Sequence, residues 1–363
     1  MKKFFVFLSL FLSFAIAQQK SVPSNIIIMI GDGMGVAQVS TLIVTNPNSP
    51  FKKFPVTGFS VTCSADKLIT DSAAGGTAIA CGVRTKNGHV GVDGDDHPVS
   101  SIFDYAKEKN YSTGVVVTSE VTNATPADFI GHVADRRDNA QLAEQFVDSP
   151  TDVVIGGGEK YFLPSKEGGK REDNNDLLLL LKQKGYEVFN SFDQLKNSSA
   201  KKYYALLADG DLPEGNERNY SLSDLSQKAI ATPSKNQSGF VLMIEGSHID
   251  EGGHRNDQAI LTSEITDFES AVGYVLNFAE RDGNTLVIVL ADHETGGAAI
   301  TGGDVDGKGL HVDFSTKSHT ASMVGVYAFG PQSNLFSGIN DNYVIGKKLI
   351  SLVDGTKQQS TKK

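Results

Sequence analysis

Six apolar runs, continuous and not alternating with polar residues, most constrain what this chain can fold into: residues 25–30, 114–118, 152–155, 240–244, 285–290 and 324–329. A strand with one wet face shows a period of two, so unbroken runs of this length mark strands covered on both faces, as in parallel sheets. Helical patterns fall between them, at residues 100–109, 139–147, 175–184 and within 256–281. That alternation specifies an α/β fold with a central, mostly parallel sheet flanked by helices. No linker-like segment interrupts it, and one large domain over residues 18–363 is expected, with a polar tail at about 356–363.

Residues 1–17 stand apart. Lys2 and Lys3, the apolar stretch 4–14 and Ala15-Ile16-Ala17 before Gln18 have the order and spacing of a secretory signal peptide with its cleavage site. The apolar stretch is too short to span a bilayer. Export to the periplasm or the extracellular space is expected, without membrane insertion. A chain of 363 residues buries a core without a disulfide. Cys63 reads as part of a strand over residues 58–64 and Cys81 as the end of a small-residue helix, both buried free thiols. The 33 Lys and Arg against 43 Asp and Glu, net −10, form no basic stripe, which excludes nucleic-acid-specific binding.

Parallel sheets place their sites at the carboxyl ends of strands, so the residues after each run carry the functional signal. They are Gly31-Asp32-Gly33-Met34-Gly35 after the first; Asn123-Ala124-Thr125-Pro126, His132 and Arg136 after the second; Glu245-Gly246, Asp250 and His254 after the fourth; and Ala291-Asp292-His293-Glu294 after the fifth. His319-Thr320 precedes the last run. A lone aspartate in such a place is more often a helix cap, but five coincident placements favour one shared site.

Nitrogen and oxygen ligands without thiolate suit zinc, and all-oxygen sets suit magnesium or manganese. Asp250 and His254, four apart, with His319 make one candidate set. Asp292, His293 and Asp32 make a second. Glu245 and Thr125 add only oxygens, which fits a third, harder ion. Paired divalent ions about 3.5–4 Å apart are a common device for phosphoryl transfer. Asp71-Ser72-Ala73-Ala74-Gly75-Gly76-Thr77-Ala78 reads as a helix amino terminus that favours an anion at Ser72; a plain capping serine is the alternative.

In this order, the motifs from Gly31-Asp32-Gly33-Met34-Gly35 through Asp71-Ser72-Ala73-Ala74, Ala124-Thr125-Pro126, His132 to Arg136, Glu245-Gly246 to Asp250 and His254, Ala291-Asp292-His293 and His319-Thr320 resemble the alkaline phosphatase family. The resemblance runs from Asn25 to about Pro331 and is nearest in form to the small bacterial, often cold-adapted, members. It implies the three-layer alkaline-phosphatase-like fold and a homodimer acting on small-molecule phosphate monoesters. It implies two Zn2+ and one Mg2+ per subunit. Ser72 matches the nucleophile that forms a phosphoserine. Asp250, His254 and His319 match the ligands of the zinc that activates the hydrolytic water. Asp32, Asp292 and His293 match the second zinc, and Asp32, Thr125 and Glu245 the magnesium. Arg136 matches the arginine that grips two phosphate oxygens. A diesterase, phosphonate hydrolase or sulfatase on the same ligands is the competing enzyme reading, and a non-catalytic metal- or phosphate-binding protein the other. Arg136 and the serine nucleophile weigh against the first, and the intact Ser72 against the second.

Asn123 stands where other members carry Asp or His, and Glu251 where others carry Lys, His or Trp. His89, His97, His248 and His311 read as surface or loop histidines, and His132 at most as an orienting residue. With 37 glycines, 11 prolines and no tryptophan, the chain has little loop rigidification beyond the glycines that border ligands, which points to a cold-adapted enzyme.

Overall fold

The computed structural model describes residues 22–355, so the expected signal segment and the polar tail lie outside the described residues. In chain order the strands are β1 (Asn25–Gly31), β2 (Val56–Val61), β3 (Ser112–Glu120), β4 (Val153–Gly157), β5 (Glu187–Phe189), β6 (Tyr203–Leu206), β7 (Phe240–Gly246), β8 (Thr285–Leu290), β9 (Glu294–Thr295), β10 (Ala298–Gly302), β11 (His311–Phe314), β12 (His319–Thr320), β13 (Val324–Phe329) and β14 (Gly338–Asp341). Ten of them form one sheet, in the order β14-β2-β13-β8-β1-β7-β3-β4-β6-β5. All six expected runs are strands of this sheet. Only β13 is reversed, pairing antiparallel with β8 and β2 while every other pair is parallel.

The unbroken apolar runs follow from burial on both faces. Ile26, Ile28 and Ile30 of β1 enter one core with Val115, Val117, Leu286 and Ile288, and Ile27 and Met29 enter the other with Val116, Leu242 and Val287. Helices Ser72–Cys81, Ile102–Glu108, Asn139–Asp148 and Asn342–Asp354 cover the first face through Ile79, Phe103, Phe146 and Leu349. Helices Val36–Thr45, Leu222–Ala231 and Gln258–Asp282 cover the second through Leu42, Leu225 and Phe268. Three layers result. Each large apolar side chain so buried contributes about 1.5–3 kcal/mol, and truncating Ile28 to alanine costs about 2–5 kcal/mol.

Two expectations need correction. The strand near Cys63 ends at Val61, so Cys63 lies in the loop beyond it and is only half-buried; Cys81, the last residue of its helix, is buried, and both are free thiols. Val324–Phe329 is not the last strand, because β14 and the helix Asn342–Asp354 follow. That helix packs directly on the one that begins at Ser72, and a Cβ on Gly346 would lie 2.3 Å from the Ala78 carbonyl oxygen. No helix among the described residues is long and apolar enough to cross a membrane.

Candidate active site

Because β13 runs backwards, the segment that enters it lies at the edge where the parallel strands end. His319, sitting before β13, therefore meets the residues that leave β1, β7 and β8. The short pairing of β12 with β9 sets His319 opposite Thr295, and the His319 ring stacks on that of His293, with centroids 3.6 Å apart. Gly33 turns the chain after Asp32 with φ +68°, and a Cβ there would lie 2.8 Å from Asp250 Oδ1.

Two ligand groups converge, each with its donor atoms within 4.8 Å of one another: Asp250, His293 and His319, and Asp32, Asp292 and His293. His254, on the helix His248–Arg255 with Asp250, joins the first group, its Nε2 lying 3.2 Å from Asp250 Oδ2 and 3.2 Å from His319 Nε2. In the second, His293 Nε2 is 3.1 Å from Asp292 Oδ2 and 3.5 Å from Asp32 Oδ1. Both expected nitrogen-containing sets are thus brought together, with His293 between them. Thr125, in the short helix Ala124–Ala127 that follows β3, and Glu245, near the end of β7, are the remaining expected ligands, and both are buried.

The donor set suits cations. Asp32 Oδ1, Asp292 Oδ2, Glu245 Oε2 and Thr125 Oγ1 are buried without a hydrogen-bond partner; the 3.1 Å approach of His293 to Asp292 lacks hydrogen-bond geometry. Burial, then the neighbouring charges of Asp292 and Asp250, pushes the Asp32 carboxyl well above its ordinary range. Burial and the Asp292 charge push Glu245 up to about 8. Asp250 goes the other way: burial opposes it, but His254, His293 and His319 hold it low. Its hydrogen bond to Asp250 raises His254 to about 9, and burial with the nearby His293 charge lowers His319. Carboxylates this crowded and this dry are stable as anions only with positive charge among them.

Ser72 opens the helix Ser72–Cys81, but Asp71 is its cap, with a side chain accepting from the Ala74 N–H. The capping alternative for Ser72 therefore fails. Its hydroxyl lies instead 3.2 Å from His293 Nε2, at a helix amino end that favours an anion. Arg136 Nη1 donates to Asp71 Oδ2 at 3.1 Å and Nη2 to Asn123 Oδ1 at 3.2 Å.

Sequence reasoning gave no role to four residues that shape this site. Asp71 and Asn123 orient Arg136. The Thr295 hydroxyl donates to Asp250 Oδ1 and lies 3.2 Å from His293 Nδ1, so it bridges the two groups. Glu294 is taken up below. The signal available for both was their place directly after Asp292-His293. Glu251 does not stand alone, since Arg255 Nε donates to it at 2.6 Å. His89, His97 and His311 pair with Asp96, Asp93 and Asp313, His248 contacts the Leu212 carbonyl, and His132 contacts the Gly91 carbonyl; none lies in the converging groups.

A family model described as alkaline phosphatase matches residues 23–311. Alkaline phosphatase 4 of Bacillus subtilis (strain 168) is 39% identical over 302 residues, covering 78% of this chain and 64% of that protein. The chain thus spans a little under two thirds of that relative. The solved structure of alkaline phosphatase from the Antarctic bacterium TAB5 superposes with a TM-score of 0.86 at 37% identity, covering 94% of this chain and 100% of that one; a variant of it has Mg bound in its M3 site. The cold-active alkaline phosphatase of Shewanella sp. gives 0.82 at 30% identity, covering 91% and 99%. On the family match, the shared sequence and the shared fold, the chain belongs to the alkaline phosphatase family.

Proposed function

We propose that this chain is an exported, metal-dependent phosphomonoesterase that hydrolyses small phosphate monoesters through a phosphoserine on Ser72. Its catalytic domain is residues 18–363 after loss of residues 1–17, and it works as a homodimer. The carrying observation is the Ser72 hydroxyl, uncommitted to capping and 3.2 Å from His293 Nε2, beside carboxylate oxygens that lack partners.

Asp250, His254 and His319 would hold one Zn2+, Asp32, Asp292 and His293 a second, and Asp32, Thr125 and Glu245 one Mg2+; the Mg in the M3 site of the TAB5 variant supports the last assignment. When bound, these ions supply the positive charge that favours serine alkoxide, departing alkoxide and deprotonated water. The chain's own residues do the rest. Arg136, fixed by Asp71 and Asn123, grips two phosphate oxygens and turns phosphorus toward Ser72. Ser72 Oγ forms a bond to phosphorus as the bond to the ester oxygen breaks, and the alcohol leaves with a proton. Water then attacks the phosphoserine from the vacated side, freeing phosphate and restoring the hydroxyl.

Hydrolysis of p-nitrophenyl phosphate is expected to exceed that of its bis-ester, and Ser72→Ala to lose at least about 10³-fold in kcat/KM. A preference for the bis-ester, or full activity in Ser72→Ala, would sink the reading. Cold adaptation belongs to the same proposal, supported by the Antarctic and cold-active neighbours; half-inactivation only at temperatures typical of thermophilic enzymes would exclude it.

A further inference from the structure

We propose that Glu294 is a positioning residue that sets the separation of the two nitrogen-containing cation sites without itself touching a cation. The inference rests on the ligand assignment above. Glu294 follows Asp292 and His293 in the chain and is 4% exposed. Four donors converge on its carboxylate. Gln38 Nε2 and the Ala298 N–H reach Oε1 at 3.1 and 3.0 Å, and the Gly297 N–H reaches Oε2 at 3.2 Å. The Thr320 hydroxyl also donates to Oε2.

Those partners belong to three of the segments that carry expected ligands. Gln38 is on the helix that follows Asp32, Gly297 and Ala298 continue from His293, and Thr320 is the residue after His319. Gly35 leaves room for the clamp, since a Cβ there would lie 2.3 Å from Glu294 Cγ. Thr320 pairs with Glu294 across β9 and β12, in the register that sets His319 opposite Thr295. Glu294 therefore holds the segment bearing His319, from the first site, against that bearing His293, from the second. The position requires an acceptor on both sides. Glutamine keeps the shape but turns an NH2 toward a backbone N–H, that of Ala298 or of Gly297, and residues that orient metal ligands in this way typically carry about 10- to 100-fold in metal affinity.

The test is zinc competition against a chromophoric chelator on the full chain, with the thermal midpoint of the metal-stripped protein measured alongside. Glu294→Gln is expected to weaken zinc binding by roughly 10- to 100-fold. A lowered midpoint with unchanged zinc affinity would make Glu294 purely structural and overturn the proposal. Should Glu294→Gln not fold, Thr320→Val alone decides: weakened zinc binding supports the clamp, and unchanged binding overturns it. Zinc affinity reads out whether or not monoesters are hydrolysed, so failure of the phosphatase assignment is distinguishable from failure of the clamp.

Discussion

Around Arg171 and around Asp32 the chain buries charge to similar depth, with side chains 2% and 9% exposed, yet it finishes the two regions differently. The Arg171 guanidinium spends its donors inside the protein. Nε donates to Asp173 Oδ1 at 3.1 Å, Nη1 to the Ala140 and Tyr161 carbonyls, and Nη2 to Glu144 and Asp173. Those bonds pin the loop after β4 to the helix Asn139–Asp148. Around Asp32 the excess is negative, and one oxygen each of Asp32, Asp292 and Glu245 is left over. A buried charge that is paired and hydrogen-bonded is architecture, whereas buried anions with unused lone pairs mark where the fold expects something else to bind.

The largest break between the regions should come from removing divalent ions. A strong chelator is expected to lower monoesterase activity by more than about 10³-fold, with recovery on adding Zn2+ and Mg2+, and to lower the thermal midpoint because ligands that bind only the folded state stabilise it. Limited proteolysis of the stripped protein should leave the loop at Arg171 protected. Loss of protection there, or activity that survives chelation, would erase the distinction.

The reverse experiment comes next. Arg171→Met removes the cation and leaves Glu144 and Asp173 without it, but those carboxylates are 49% and 37% exposed and rehydrate. The full penalty for breaking a buried pair, about 3–5 kcal/mol, is therefore discounted to about 2 kcal/mol of unfolding free energy. Urea melts should show that loss while kcat/KM per folded molecule stays at the wild-type value. A kinetic defect would tie Arg171 to the site.

The sequence showed the site better than the scaffold that aims it, and the reason is physical. Side chains able to hold a cation are few, and parallel strands deliver them to one edge, so Asp32, Glu245, Asp250, Asp292 and His293 were readable as candidates from their places after apolar runs. His319 was readable only as a residue before a run; that it reaches the same edge depends on the reversal of β13, a property of pairing. Asp71 and Asn123 as partners of Arg136, and Glu294 and Thr295 as supports, depend on contacts between segments remote in sequence. Short elements were lost for a related reason. β5, β9, β12 and β14, of two to four residues, carry no periodicity to detect.

A smaller effect separates the regions by pH. In the metal-stripped protein Glu245 titrates near 8 and Asp32 is raised as well, so the folded state holds protons that the unfolded chain has released. Stability contributed by these groups is present below the ordinary carboxylate range and lost as pH rises toward 8. Asp173 has the opposite sign. Hydrogen bonds from Arg171 and from the Asn175 backbone lower it to about 2, so its contribution is present above about pH 4 and lost as pH falls through 2. Midpoints of the stripped protein should decline from pH 5 to 8, and bound Zn2+ and Mg2+ should flatten that slope. An equal slope with metal bound would place the titrating groups elsewhere.

The smallest effect tests charge that is not buried. Glu251 follows Asp250, and its carboxylate, 43% exposed, is matched by Arg255, 52% exposed. An exposed pair of this kind contributes little to stability, so Glu251→Lys should barely move a melt. The substitution nevertheless changes the local charge by two units beside the proposed phosphate site and leaves Arg255 unopposed on that side. Through solvent, such a change is worth under about 1 kcal/mol. Product inhibition by inorganic phosphate should accordingly tighten roughly two- to fourfold at low ionic strength and return toward the wild-type value as salt is raised. An inhibition constant unchanged at low salt would mean that the field at the phosphate comes from the buried charges alone, and that the exposed pair belongs with Arg171 as scaffold.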